Sequence, residues 1–417
     1  MTSTPLKTKF KTKLDAQPLD KSPASGKFSP EITLLLACSR TNITPELATE
    51  IKSLAQSPLD WQLLFDLGNR HQLIPLVYYN LAAICKEDVP PDTMSLMRNI
   101  YAYKAQTNLF ITSELIKIHR LFQQHSITAI PFKGMTLAMT AYKNLSFRDS
   151  CDLDILIEKE DVGRATELLE SIGYEMAGYI AQVKDNPELR YGSFLQSEAN
   201  QKGYDFINPN NKIAIDLQWS LTEKAKSRYF NLSFEQLSQN TSEVVIADNK
   251  LPQFAPEVMV LYLCFHGSKH CWQSLKWICD LSEFIGSHPE LDWQQIQQQA
   301  QELKLTTMLH LGLLLARDFY QTEIPPSLLQ GISTNSRAQK LFQQVRQLIF
   351  ARCFTQWEDY AFLLNITDSN RGKLRFLTAL LFTPTAKEWD ALKLPKSLFA
   401  LYYLIRPYRL LREYLLK

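Results

Sequence analysis

Residues 148–157 read Arg-Asp-Ser-Cys-Asp-Leu-Asp-Ile-Leu-Ile, an apolar run with two aspartates set two apart at its start. The run from Leu153 to Ile157 has the composition of a strand, and side chains on a strand alternate between faces. Asp152 and Asp154 therefore point the same way. Two carboxylates on one face beside an apolar run are unfavourable unless they stay solvated or bind a cation. The pair thus calls for a sheet edge or a metal site. A third carboxylate, Asp216, sits in a similar run, Ile213-Ala214-Ile215-Asp216-Leu217-Gln218-Trp219, and is expected to aim at the same place. Three carboxylates on adjacent strands can hold two Mg²⁺ ions roughly 3.5–4 Å apart, an arrangement suited to displacement at phosphorus.

The surrounding chain fixes the context. With 13 glycines in 417 residues it contains neither a G-x-x-x-x-G-K-[ST] nor a G-x-G-x-x-G loop, so phosphate binding would need other means. Periodicity predicts helices before residue 126. Among them are one opening at Thr44-Pro45, one from Trp61 and a long one from Met94 to Gln124. A mixed stretch follows. It has a short strand ending at Pro131, a helix from Thr136 to Tyr142, the strand 153–157, a helix from Glu160 to Ile172 and a hairpin turning at Asn208-Pro209-Asn210-Asn211. After about Leu251 the pattern is helical to the end. The expected organisation is a disordered basic tail (1–28), an N-terminal helical segment (29–125), an α/β core (126–250) and a C-terminal helical domain (251–417).

Charge is nearly balanced, with 45 Lys and Arg against 43 Asp and Glu. That disfavours nucleic acid as a partner held by bulk charge. Seven scattered cysteines without a C-x-x-C pair point to reduced thiols and a cytoplasmic setting. No apolar run is long enough to span a membrane. The last helix carries Arg406, Arg409 and Arg412 among Tyr402, Tyr403, Tyr408 and Leu410. It reads as a packed helix with a solvated basic face, as a surface for an acidic acceptor, or as a peripheral membrane helix, the first being favoured. His266 and His270 have i, i+4 spacing but no acidic third ligand, so helix packing is favoured over zinc. His71 reads as a core histidine.

The block Lys133-Gly134, Arg148-x-x-x-Asp152-x-Asp154-Ile-Leu-Ile and the later Asp216-Leu217-Gln218-Trp219 resembles an uncharacterised nucleotidyltransferase family of the DNA polymerase β-like superfamily. The resemblance extends to Trp61–Leu81, with His71, Pro75, Leu76 and Tyr78, to the segment from His266 to Asp280, and to Tyr402–Leu411. It implies an α+β fold, in which a small polymerase-β-like mixed sheet is embedded between N-terminal helices and a C-terminal helical domain.

The resemblance also implies transfer of a nucleoside monophosphate from an NTP, with ATP the default, to an acceptor hydroxyl, with pyrophosphate released. Asp152, Asp154 and Asp216 would be catalytic and hold two Mg²⁺, with Mn²⁺ as a substitute. Gly134 would let backbone N–H groups approach the triphosphate. Lys133, Thr136 and Arg148 would contact phosphates, with Lys269 and His270 as accessory groups. The acceptor would be a small molecule or a protein or peptide. Two departures stand out: Met135 replaces the small residue after the glycine, and Gln218 replaces a histidine common in the family. The alternatives are a non-catalytic nucleotide-binding subunit and a kinase-like phosphoryl transferase.

Overall fold

A computed structural model describes residues 28–177, 202–222, 233–384, 388 and 391–414. The tail expected to be disordered lies outside them except for Phe28. That ring stacks on Phe319 with centroids 5.4 Å apart and lies under the Arg346 guanidinium.

Four helices come first: α1 (Pro30–Cys38), α2 (Pro45–Ala55), α3 (Trp61–Arg70) and α4 (Ile74–Ile84). Their starts follow capping chemistry. Thr44 accepts from the Leu47 N–H at 3.3 Å ahead of Pro45, and Asp60 accepts from the Leu63 N–H at 2.9 Å. α5 (Pro91–Gln124) is a single helix of 34 residues.

The chain then enters β1 (Ala129–Pro131), α6 (Gly134–Tyr142), β2 (Asp152–Ile157), α7 (Val162–Ser171), β3 (Glu175–Met176), β4 (Gly203–Ile207) and β5 (Ala214–Gln218). These strands form one mixed sheet in the order β1-β2-β5-β4-β3. β2 and β5 are parallel and the remaining pairs antiparallel. The fold class is therefore the expected α+β arrangement.

After α8 (Phe234–Gln239) comes a hairpin, β6 (Thr241–Ile246) and β7 (Asn249–Phe254). The sequence reading began helix at about Leu251 and missed this pair. Ala247 and Asp248 close it with φ of +46° and +60°, the mirror-image turn that matches strand twist. The rest is helical: α9 (Pro256–Lys269), α10 (Leu275–Gly286), α11 (Trp293–Glu302), α12 (Thr306–Tyr320), α13 (Pro326–Thr334), α14 (Ser336–Leu348), α15 (Gln356–Ile366), α16 (Asn370–Phe382) and α17 (Tyr402–Tyr414). No described helix is long and apolar enough to cross a membrane.

Two cores hold this together. One joins Ile111, Leu115, Ile118 and Phe122 of α5, and Ala165 and Leu169 of α7, to Leu153, Ile155, Ile157, Ile215 and Leu217 of the sheet. Each leucine, isoleucine or phenylalanine among them contributes about 1.5–3 kcal/mol when fully buried. The larger core joins α1–α4 to the later helices and takes in Ile130, Phe132 and Leu156 from the sheet's other face. The aspartates lie on that second face.

Candidate functional site

β2 alternates as its sequence requires. Leu153, Ile155 and Ile157 pack under α5 and α7, so Asp152 and Asp154 project from the opposite face. In the parallel ladder Asp154 stands directly beside Asp216 of β5. The antiparallel partner of Asp216 on the other side is Asp205 of β4. Asp205 was not singled out in the sequence. Its signal was the same one, a lone acid in the short apolar strand 203–207.

The environment of these carboxylates is uneven. Asp154 is buried and its pKa is raised, first by burial and then by the charges of Asp152 and Asp216; Lys133 opposes the shift. Lys133 Nζ lies 2.7 Å from Asp154 Oδ1. Burial works against the lysine's charge, yet Asp154 and Tyr262 outweigh it and keep its pKa above the usual range. The Tyr262 hydroxyl, on α9, also hydrogen-bonds to Lys133. Lys202 Nζ lies 3.0 Å from Asp216 Oδ2. Gln218 Nε2 donates to Asp216 Oδ2 at 2.8 Å and reaches Asp154 Oδ1 at 3.5 Å, linking the two strands' carboxylates.

Gly134 begins α6 with φ +58°, a conformation open to glycine and strained for other residues. A Cβ there would meet Ser150 Oγ at 3.3 Å and the Asp152 carbonyl at 3.5 Å. The turn thus presents the first N–H groups of a helix beside β2, a geometry that favours anions. Thr136, expected to supply a hydroxyl to phosphate, instead donates it to the Lys133 carbonyl at 2.8 Å and is fully buried. Ser150 is the hydroxyl nearest the glycine.

Arg148 also differs from its expected use as a phosphate ligand. It is buried, with Nε and Nη2 at 2.8 and 3.0 Å from the two carboxylate oxygens of Asp280 on α10. Its Nη1 points to the Gly134 carbonyl at 3.5 Å. The Tyr142 hydroxyl donates to the same Asp280 at 2.8 Å. Burial gave this arginine a reason to be paired, and the partner lay too far along the chain to be read from sequence. The loop from 143 to 151 is held further by Asn108, which donates to the Leu145 and Arg148 carbonyls, and by the Lys104–Asp149 ion pair at 2.7 Å.

His266 and His270 sit at the end of α9 and its cap. Their rings are 4.8 Å apart and both pack against Trp277, while His266 also stacks on Tyr262. Crowding by these groups, with the charges of Lys269, Lys133 and Lys202, pushes His270 down to about 4. His270 is thus in electrostatic reach of Lys133 and Lys202, the lysines that hold Asp154 and Asp216.

Among the described residues no group of three or more His, Cys, Asp or Glu side chains is gathered closely enough to hold a metal ion. Lys133 pairs with Asp154 and Lys202 with Asp216. The donor set still suits a hard divalent cation. Asp152, Asp154 and Asp216 offer carboxylate oxygens from one face, and burial together with the neighbouring carboxylates raises the pKa of Asp154.

The family model described as uncharacterised nucleotidyltransferase matches residues 57–321, a span that covers α3 to α12 and includes Lys133, Gly134, Arg148, Asp152, Asp154, Lys202, Asp216 and Asp280. No curated protein matches the chain.

Proposed function

The chain belongs to the family of uncharacterised nucleotidyltransferases, and from that premise we propose that it transfers a nucleoside monophosphate from an NTP to an acceptor hydroxyl in a Mg²⁺-dependent reaction. The observation that carries this reading is the register of Asp154 against Asp216 beside the left-handed Gly134 turn. It sets acidic oxygens next to a helix N-terminus, the combination that a metal–triphosphate complex would require.

Asp152, Asp154 and Asp216 would hold the divalent cation, which supplies charge neutralisation at the phosphates when bound. The N–H groups at the start of α6 receive phosphate oxygens. Lys133 is released from Asp154 to become a phosphate partner, and Lys202 leaves Asp216 in the same way. Asp216 then accepts the acceptor's hydroxyl proton. Arg148, committed to Asp280, keeps the Gly134 turn in register instead of touching substrate. The acceptor is a small molecule or a protein or peptide hydroxyl. Seven free cysteines fit action in a reducing, cytoplasmic compartment.

A second reading has its own support. Both central aspartates are neutralised by lysines, and Gln218 cannot titrate. A nucleotide-binding subunit without turnover would tolerate this. Calorimetry with ATP and the other NTPs, with and without Mg²⁺, separates the cases when paired with pyrophosphate release over an acceptor panel. Transfer predicts Mg²⁺-dependent binding lost in Asp154→Asn and Asp216→Asn, with pyrophosphate formed. Binding without pyrophosphate supports the second reading, and absence of NTP binding with any divalent ion sinks both.

A further inference from the structure

Beyond the family-matched span, α16 and α17 share a surface that the nucleotide site does not use. Among the described residues, eleven of the eighteen exposed large hydrophobic side chains fall between residues 374 and 411. On α16 Leu374, Leu377 and Leu381 recur at i, i+3 and i+7, and on α17 Leu404, Tyr408 and Leu411 recur at i, i+4 and i+7. Each set is one helical stripe left open. The opposite faces are packed. Phe376 and Tyr402 are buried, the Tyr402 hydroxyl donates to the Leu392 carbonyl at 2.6 Å, and Arg406 Nε donates to the Leu380 carbonyl at 2.9 Å. Phe399 and Tyr402 form a small core separate from the two main ones. The exposed stripes therefore belong to a folded pair with its own interior.

The charges around the stripes are mostly basic. Arg371, Lys373, Arg375, Lys393 and Arg412 lie among them. Among the described residues from 370 to 414 the acids are Glu413, next to Arg412 near the end of α17, and Glu388, which is fully buried and held by Arg409 at 2.6 Å and Arg406 at 3.4 Å. We propose that this helical pair docks the protein on an anionic lipid surface. Leucines insert at the acyl boundary, the tyrosines sit at headgroup level, and the lysines and arginines meet lipid phosphates and carboxylates. A second copy of the chain fits less well, because it would bring two predominantly basic rims together.

The test is sedimentation of the full-length protein with vesicles of phosphatidylcholine alone and of phosphatidylcholine with phosphatidylserine. The expected result is at least about tenfold stronger binding to the anionic vesicles, weakened by high salt. Leu377→Glu/Leu404→Glu abolishes it. Arg371→Glu/Arg375→Glu, which alters only polar rim residues, weakens it while circular dichroism and melting stay as in the parent. No pelleting, or equal pelleting with both vesicles, overturns the proposal. So does a concentration-dependent dimer in light scattering that the Leu→Glu pair dissolves, or retention by an acidic polypeptide resin without vesicle binding.

Discussion

Arg148 and Asp280, 132 residues apart in sequence, form a buried two-pronged ion pair at 2.8 and 3.0 Å that ties the loop after α6 to α10. The same guanidinium reaches the carbonyl of Gly134, so the turn beside the aspartates takes its position from a helix outside the sheet. Asp280→Asn keeps the shape and leaves a buried cation without its counter-charge. The expected loss is about 3–5 kcal/mol in urea denaturation, partly recovered in the double variant Arg148→Met/Asp280→Leu. A loss below ~1 kcal/mol, the scale of an exposed pair, would contradict this role.

Gly134→Ala tests the turn itself. The left-handed backbone costs a non-glycine residue about 1–2 kcal/mol. The new methyl would also press on Ser150 Oγ at 3.3 Å. Stability should fall by that amount, and NTP affinity should fall further than stability does. Unchanged denaturation and unchanged calorimetric affinity together would show that the turn has no need of glycine.

Gln218→Glu replaces a neutral donor by an acceptor of the same size between Asp154 and Asp216. With no counter-charge added, thermal stability in a chelator should drop by about 1–3 kcal/mol, the cost of an unmatched buried group. Mg²⁺ should restore more stability to this variant than to the parent. Equal melting of the two proteins in chelator would mean that Gln218 does not bridge the carboxylates.

His71 makes stability depend on pH. It is fully buried, its Nδ1 accepts the Leu275 N–H at 3.2 Å, and its Nε2 has no hydrogen-bond partner among the described residues. Burial, with a smaller contribution from Arg70, lowers its pKa to about 3. The unfolded chain, with a histidine pKa of about 6.5, takes up the proton first, so stability is full above that value and declines as pH falls from it towards about 3. At pH 5 this one group should cost on the order of 2 kcal/mol relative to pH 7. Denaturation of His71→Asn at both pH values checks this. If that variant loses as much on acidification as the parent, the effect lies elsewhere.

Local pattern was enough for the parts of the fold in which neighbours in sequence decide the outcome. Alternation in Leu153-Asp154-Ile155-Leu156-Ile157 placed two carboxylates on one face, and Asn208-Pro209-Asn210-Asn211 marked the turn between β4 and β5. Single acids in short strands are weaker signals, and Asp205 passed unnoticed until the register set it opposite Asp216. The hairpin at Ala247-Asp248 lacks glycine and was likewise missed.

The sequence by itself pointed to the α+β class through its pattern of elements, and to the family and the aspartates Asp152, Asp154 and Asp216 through the motifs that resemble it. Tertiary structure decided which charges those residues meet. Lys133 and Lys202 reach Asp154 and Asp216, Thr136 turns its hydroxyl to backbone, and Arg148 is spent on Asp280. Such pairings are chosen by burial, where a charge must find whatever partner the packed chain brings near, and sequence distance has no bearing on that choice.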